Sequence, residues 1–188
     1  MLKGQTVMDK DVLSRADGVK LATVKDLVIS KDHTRIVALL TQEGGLFSKA
    51  RMVPMSKVMS IGKDAVVVTD SNADMAAEDD PTVKESLDSK DRLIGKAVYT
   101  DTGNEQAVVN DIYFDEKSGS IVGLELAGGV LENSSDGTAY LPIEEVVSIG
   151  PHAVMIRSQA VGALLEQASG GQAAARKADE GQGPGQIG

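Results

Sequence analysis

Short apolar runs rich in β-branched residues alternate with polar turns along most of the chain. Val24 to Ile29, Thr34 to Leu40 and Ala65 to Val68 form one set, and Val108 to Phe114, Ser120 to Leu126 and Ala153 to Ile156 form another. Turn residues such as Lys31-Asp32-His33 and Glu116-Lys117-Ser118-Gly119 separate them. The pattern predicts two all-β domains of about six short strands each, arranged as small antiparallel barrels because closure removes unpaired edges. Only one apolar stripe has helical spacing: Ala160, Val161, Leu164, Leu165 and Ala168, which Gly170-Gly171 would stop. It predicts a short helix packed on the second barrel and followed by a disordered tail, so that 159–188 forms a separate terminal segment.

The two strand sets are copies. Met59-Ser60-Ile61-Gly62 returns as Val147-Ser148-Ile149-Gly150 at a shift of 88 residues, carrying Pro54 onto Pro142. Gly18, Val24, Asp26 and Ile36 return as Gly103, Val109, Asp111 and Ile121 at a shift of 85. Gly4 and Val7 match Gly95 and Val98 at a shift of 91, which makes Asp11 to Ala16 an insertion in the first copy. Insertions confined to turns are expected of a duplicated fold. The predicted domains are 1–70 and 92–158. The intervening 71–91 carries seven acidic and two basic residues, reads as an acidic linker, and allows a helical turn with Pro81 at its first position.

In both copies the order is a Gly turn, a Val-x-Asp strand, an Ile-Val strand, a Gly-Gly loop, a Pro, and Ser-Ile-Gly before a last apolar strand. This order, carried by Gly18 to Ile29 with Met52-Val53-Pro54 and 58–62, and by Gly103 to Phe114 with Tyr140-Leu141-Pro142 and 146–150, resembles the PRC-barrel domain. The resemblance implies a compact, mostly antiparallel barrel. The family's settings are the cytoplasmic part of the photosynthetic reaction-centre H subunit and the carboxyl end of a ribosome-maturation factor, where it docks and assembles other proteins. The chain lacks the membrane helix of the one and the other domain of the other.

Composition narrows the chemistry. With no cysteine among 188 residues there is no disulfide, thiolate metal site or thiol nucleophile. A net charge of -9 disfavours direct nucleic-acid binding. No segment has signal-peptide or membrane-spanning character, so a cytoplasmic protein is expected. Charge is divided unevenly: residues 1–70 sum to +3, 71–91 to -5 and 92–158 to -6. Two copies of one fold would then present oppositely charged faces.

No convergent catalytic set emerges, and the expectation is a protein that is not an enzyme and needs no cofactor. His33 and His152 fall in polar turns and are read as solvated. Asp26 and Asp111 recur at one strand position, but a carboxylate repeated within a fold more often satisfies backbone N–H groups. Gly18, Asp26, Pro54 and Gly62, with Gly103, Asp111, Pro142 and Gly150, are read as structural repeat positions. The candidate partner contacts are Leu46, Phe47, Val130 and Leu131, which follow the two Gly-Gly pairs, and Tyr99, Tyr113 and Tyr140, aromatic in the second copy where the first is aliphatic or Met. The favoured function is a non-catalytic module that docks other proteins, with a homo-oligomer compatible with the pattern. The alternatives are a small-molecule or metal-responsive sensor with its site where the barrels meet, and an accessory factor in ribosome assembly or RNA processing.

Overall fold

A computed structural model describes residues 1–45, 48–89, 91–132 and 137–167. The chain divides into two compact units, and the division does not follow the copy boundary. Unit 1 contains Met1–Leu93 together with Asp111–Gly123, and unit 2 contains Ile94–Asn110 and the chain from Leu124 onward.

In unit 1 the strands are β1 (Leu2–Lys3), β2 (Asp11–Ser14), β3 (Lys20–Thr23), β4 (Asp26–Ile29), β5 (Ile36–Gln42), β6 (Arg51–Pro54), β7 (Val58–Ile61), β8 (Ala65–Val68) and β9 (Met75–Ala76), followed by helix α1 (Pro81–Asp88). Strands β2 to β9 form two four-stranded sheets, ordered β3-β2-β8-β7 and β4-β5-β6-β9. Val12 on β2 and Val66 and Val68 on β8 point inward at alternate positions, as a half-buried pleat requires. The second sheet buries Val28, Val37, Ala38, Leu40 and Met52 against Ala77 and Val83. Asp80 starts α1 by accepting from the Thr82 and Val83 amides, with Pro81 in the first turn.

Unit 1 also holds the turn and strand ends at 111–123. β1 pairs antiparallel with Tyr113 and Phe114 of β11 (Glu105–Phe114). The Ile36 amide donates to the Gly119 carbonyl at 2.8 Å, and the Ile121 amide donates to the Thr34 carbonyl at 2.9 Å. Residues 34, 35 and 36 correspond to 119, 120 and 121 at the shift of 85, so the bonds are reciprocal about the Arg35↔Ser120 bridge. Gly119 has φ +72° there, and a Cβ would lie 2.6 Å from the Ile36 carbonyl oxygen. Only glycine serves that approach.

Unit 2 comprises β10 (Ala97–Thr100), the first part of β11, most of β12 (Ile121–Ala127), β13 (Thr138–Pro142), β14 (Val146–Ile149), β15 (Ala153–Ile156) and a helix over 160–167, α2. The strand order is β13-β12-β11-β10-β15-β14. Val98, Leu124, Leu126, Val154 and Ile156 are fully buried. Ala160 and Leu164 are buried as well, while Val161 is half-buried and Leu165 is 42% exposed, so the apolar stripe of α2 is covered in part.

Several expectations are corrected here. The fold is mostly β with two helices, but the sheets are open or half-barrels rather than closed six-stranded barrels. They are not wholly antiparallel either: β2 and β8 pair in parallel, as do their equivalents β10 and β15. The segment 71–91 is no free linker. Met75 and Ala76 add a strand to β6, Ala73, Ala77 and Val83 are buried, and Asp74, Glu78 and Glu85 pair with Arg51, Lys49 and Lys31. Its composition looked like a linker's because its partners are remote in sequence. The acids consequently offset the basic first copy: unit 1 carries 15 basic and 18 acidic side chains, and unit 2 carries 4 and 10. Both units are acidic, which replaces the expectation of opposite signs. The predicted tail lies outside the described residues.

The early repeat register also changes. β2 meets β8 as Asp11↔Ala65 and Val12↔Val66, and β10 meets β15 as Ala97↔Ala153 and Val98↔Val154. Val12, not Val7, is therefore equivalent to Val98, at a shift of 86, and Leu13, not Met8, is equivalent to Tyr99. Asp9 and Gly95 share a positive φ at that shift. A Gly-x-x-Val coincidence obscured a register that hydrogen bonding defines.

Candidate functional site

The recurrent carboxylates serve the backbone. Asp26 Oδ1 accepts from the Leu27 amide at 2.8 Å, and Asp111 Oδ1 accepts from the Ile112 amide at the same distance. The second oxygen of Asp111 accepts from the Gln5 amide at 2.9 Å, and that of Asp26 lies 3.9 Å from Arg92 Nη1. Asp111 is buried and Asp26 half-buried. A buried carboxylate with two N–H donors is satisfied by the fold.

The other repeat positions work in the same way. Pro54 and Pro142 have φ near -60° and ψ of 142° and 143°, and each introduces a 3-10 turn, Met55–Lys57 and Ile143–Glu145. Gly18 and Gly103 hold positive φ in the turns after β2 and β10. Gly62 and Gly150 offer carbonyls to two lysines that sequence reasoning missed: Lys10 Nζ donates to Gly62 O and Lys96 Nζ to Gly150 O. Their shared position one residue before β2 and β10 was hidden by the earlier register.

The candidate contact residues are treated unequally. Leu46 and Phe47 lie outside the described residues. Leu131 is fully buried, which corrects its reading as a partner contact, while Val130 beside it is 39% exposed. The 3-10 turn Gly129–Leu131 lies against the Gln106 carbonyl and sends Leu131 into the core. Tyr99 is half-buried, and its hydroxyl donates to Glu105 at 2.9 Å. That bond to a carboxylate raises the phenol pKa. Tyr113 sits in the pairing of β11 with β1. Tyr140 on β13 is half-buried, and burial, followed by the charge of Glu144, raises its pKa.

His33 departs from the expected solvated turn residue. It is 4% exposed, has φ +57°, and its Nε2 lies 3.0 Å from Asp91 Oδ2. Its Nδ1 is buried with no hydrogen-bond partner among the described residues. His152 is exposed. Among the described residues, no group of three or more His, Asp or Glu could hold a metal ion, and no helix is long and apolar enough to cross a membrane.

What recurs at the surface is apolar. β7 and β14 are the last strands in their sheet orders, and each has a register irregularity at its middle. At that point stand Met59, 47% exposed, and Val147, 55% exposed, equivalent at the shift of 88. The geometry therefore defines a duplicated β module whose conserved polar residues stabilise the backbone and whose matched edge strands expose apolar side chains.

A family model described as PRC-barrel domain matches residues 2–75 and again 87–161. The chain belongs to the PRC-barrel domain family, with two tandem domains. No curated protein matches it significantly.

Proposed function

We propose that the chain is a non-catalytic interaction module, acting in a cytoplasmic setting, which docks other proteins through the surfaces of its two PRC-barrel domains. The observation that carries this reading is the matched exposure of Met59 and Val147. Apolar side chains at one repeat position on two edge strands resist explanation as core, and exposed apolar groups at edges are where proteins dock. The backbone roles of Asp26 and Asp111 support the same reading, because they occupy the carboxylates that a paired-acid chemistry would use.

The test is affinity capture with the full chain and with Met59→Lys, Val147→Lys and the double variant, each checked for native circular dichroism. Specific captured proteins should diminish with each single variant and disappear with the double. Undiminished capture by the folded double variant overturns the assignment of these edges.

A further inference from the structure

The two copies close one equivalent strand edge by different means. In the first copy, β6 receives β9 on its outer side, with Met52 opposite Met75 and Arg51 opposite Ala76. In the second, Met52 corresponds to Tyr140 of β13, and among the described residues no strand stands beyond β13 in the sheet order. The Tyr140 backbone is instead met by one side chain of α2: its amide donates to Gln167 Oε1 at 3.0 Å, and its carbonyl accepts from Gln167 Nε2 at 3.1 Å. A primary amide offering both a donor and an acceptor to one residue imitates one peptide unit of a neighbouring strand.

The charge of a true strand at this edge can be read from the copy that has one. β6 carries Arg51 and is preceded by Lys49, and these hold Asp74 and Glu78 on either side of β9. At the shift of 88 both bases are lost, becoming Ala139 and Gly137. The unit as a whole is acidic: among its described residues unit 2 has seven acidic side chains against Lys96 and Arg157, and one of them, Glu144, lies close enough to Tyr140 for its charge to act there. Lys96 is buried on the Gly150 carbonyl, and Arg157 is engaged by Glu144 O and Glu145. The first copy accepts an acidic strand on a basic edge, and the second presents the same edge without those bases and within an acidic unit.

From this we infer that the outer edge of β13 is a strand-acceptor site for an extended, basic segment of a partner protein, which adds antiparallel to β13 and displaces the Gln167 side chain. Main-chain bonds supply the affinity of such an addition and flanking charges its selectivity. Gln167 keeps the edge satisfied until the partner arrives, which also protects it from indiscriminate pairing. The inference rests on the reading of the chain as a protein-interaction module and specifies one of its surfaces.

The test uses the full chain and three synthetic heptapeptides: alternating Lys and Val, alternating Glu and Val, and the Lys-Val peptide with alternate amides N-methylated. Binding is followed by titration, and its location by amide hydrogen exchange. The Lys-Val peptide should bind with protection over 138–142, and Gln167→Ala should bind it about fivefold more tightly, since two competing hydrogen bonds are gone. The Glu-Val and N-methylated peptides should fail. Equal binding of the Glu-Val or N-methylated peptide, protection elsewhere, or unchanged affinity in Gln167→Ala overturns the site. Self-association of Gln167→Ala through 138–142 also overturns it, by making the occupant a second copy. If the peptides fail while the Met59 and Val147 variants still lose captured proteins, this edge is wrong and the interaction module stands. If those variants capture normally while the Lys-Val peptide binds at β13, this edge stands and the assignment of the Met59 and Val147 edges is wrong.

Discussion

Residues 20–29 and 105–114 are equivalent at a shift of 85, yet the first stretch is divided between β3 and β4 in two sheets, while the second runs unbroken as β11. The break falls at Val24–Lys25, although Val24 donates to the Lys10 carbonyl just as Val109 donates to the Lys96 carbonyl; Lys25 donates to the Leu40 carbonyl. In the second copy the corresponding residues are Asn110 and Glu125, and Asn110 Nδ2 donates to the buried Glu125 carboxylate. A polar pair thus replaces Lys25 and Leu40 and ties β11 to β12. The frame tolerates such exchanges because the positions that fix it, Asp26 and Asp111, Lys10 and Lys96, Pro54 and Pro142, act on the backbone and are indifferent to neighbouring side chains.

The sharpest way to break the equivalence is at the Gly-Gly pairs. Gly129 has φ +57°, and a Cβ there would lie 2.1 Å from the Gln106 carbonyl oxygen. At Gly45, its counterpart, a Cβ would meet, among the described residues, Ser48 Oγ alone, at 3.2 Å. Gly129→Ala should therefore cost about 3–5 kcal/mol, from left-handed strain and displacement of β11, whereas Gly45→Ala should stay within about 0.5 kcal/mol. Urea unfolding of the two variants measures both. Similar losses would mean that the loops are equivalent after all.

The turns before β5 and β12 offer the next contrast. The second copy places Gly119 in the left-handed region, and the first uses His33, which buries its ring beside Asp91. His33→Ala should cost about 2 kcal/mol by losing the packed ring and its hydrogen bond while retaining the strained φ. His33→Asn, which tolerates that φ better, should recover part of the loss. A midpoint for His33→Ala within error of the parent would remove His33 from the structural account.

How much of this was legible from residues alone depended on whether the cause was local. The strands, the duplication, Asp80-Pro81 at the start of α1 and the backbone role of the repeated Asp residues all follow from short-range pattern. The packing of 71–91 did not, because its acids answer Arg51, Lys49 and Lys31 more than twenty residues upstream. Nor did the burial of His33, which depends on Asp91, or that of Leu131, which depends on Gln106. Lys10 and Lys96 could have been found by testing a shift of 86 against the strand pattern. Gln167 could not, since nothing in its neighbourhood signals a side chain standing in for a strand.

The Asn110–Glu125 pair can be used to convert one copy toward the other. Asn110→Ala removes a donor from a buried carboxylate and should cost about 1–2 kcal/mol. Asn110→Lys combined with Glu125→Leu installs the first copy's pair and should return stability to within about 0.5 kcal/mol of the parent, because the buried carboxylate is removed along with its exposed donor. Additive losses in the double variant would show that the strand break at Val24–Lys25 has another origin.

The smallest expected effect concerns acid. Asp32 is held below the ordinary carboxylate range chiefly by the Ser30 hydroxyl, with Thr34 contributing, and Asp115 chiefly by the Ser118 amide, with its hydroxyl contributing. Each copy thus has one carboxylate organising the turn between its two central strands. A carboxyl whose folded pKa is depressed contributes stability that is present above its unfolded value, about 4, and lost as pH falls through the folded value. Stability should decline below about pH 4 in the parent. Asp32→Asn and Asp115→Asn should each flatten part of that decline, and the double variant should flatten more. Asp32 is exposed and Asp115 half-buried, both within reach of solvent, so salt and solvent keep the effect small. Urea midpoints between pH 6 and pH 2.5 measure it, and an acid limb as steep in the double variant as in the parent would place the titrating groups elsewhere.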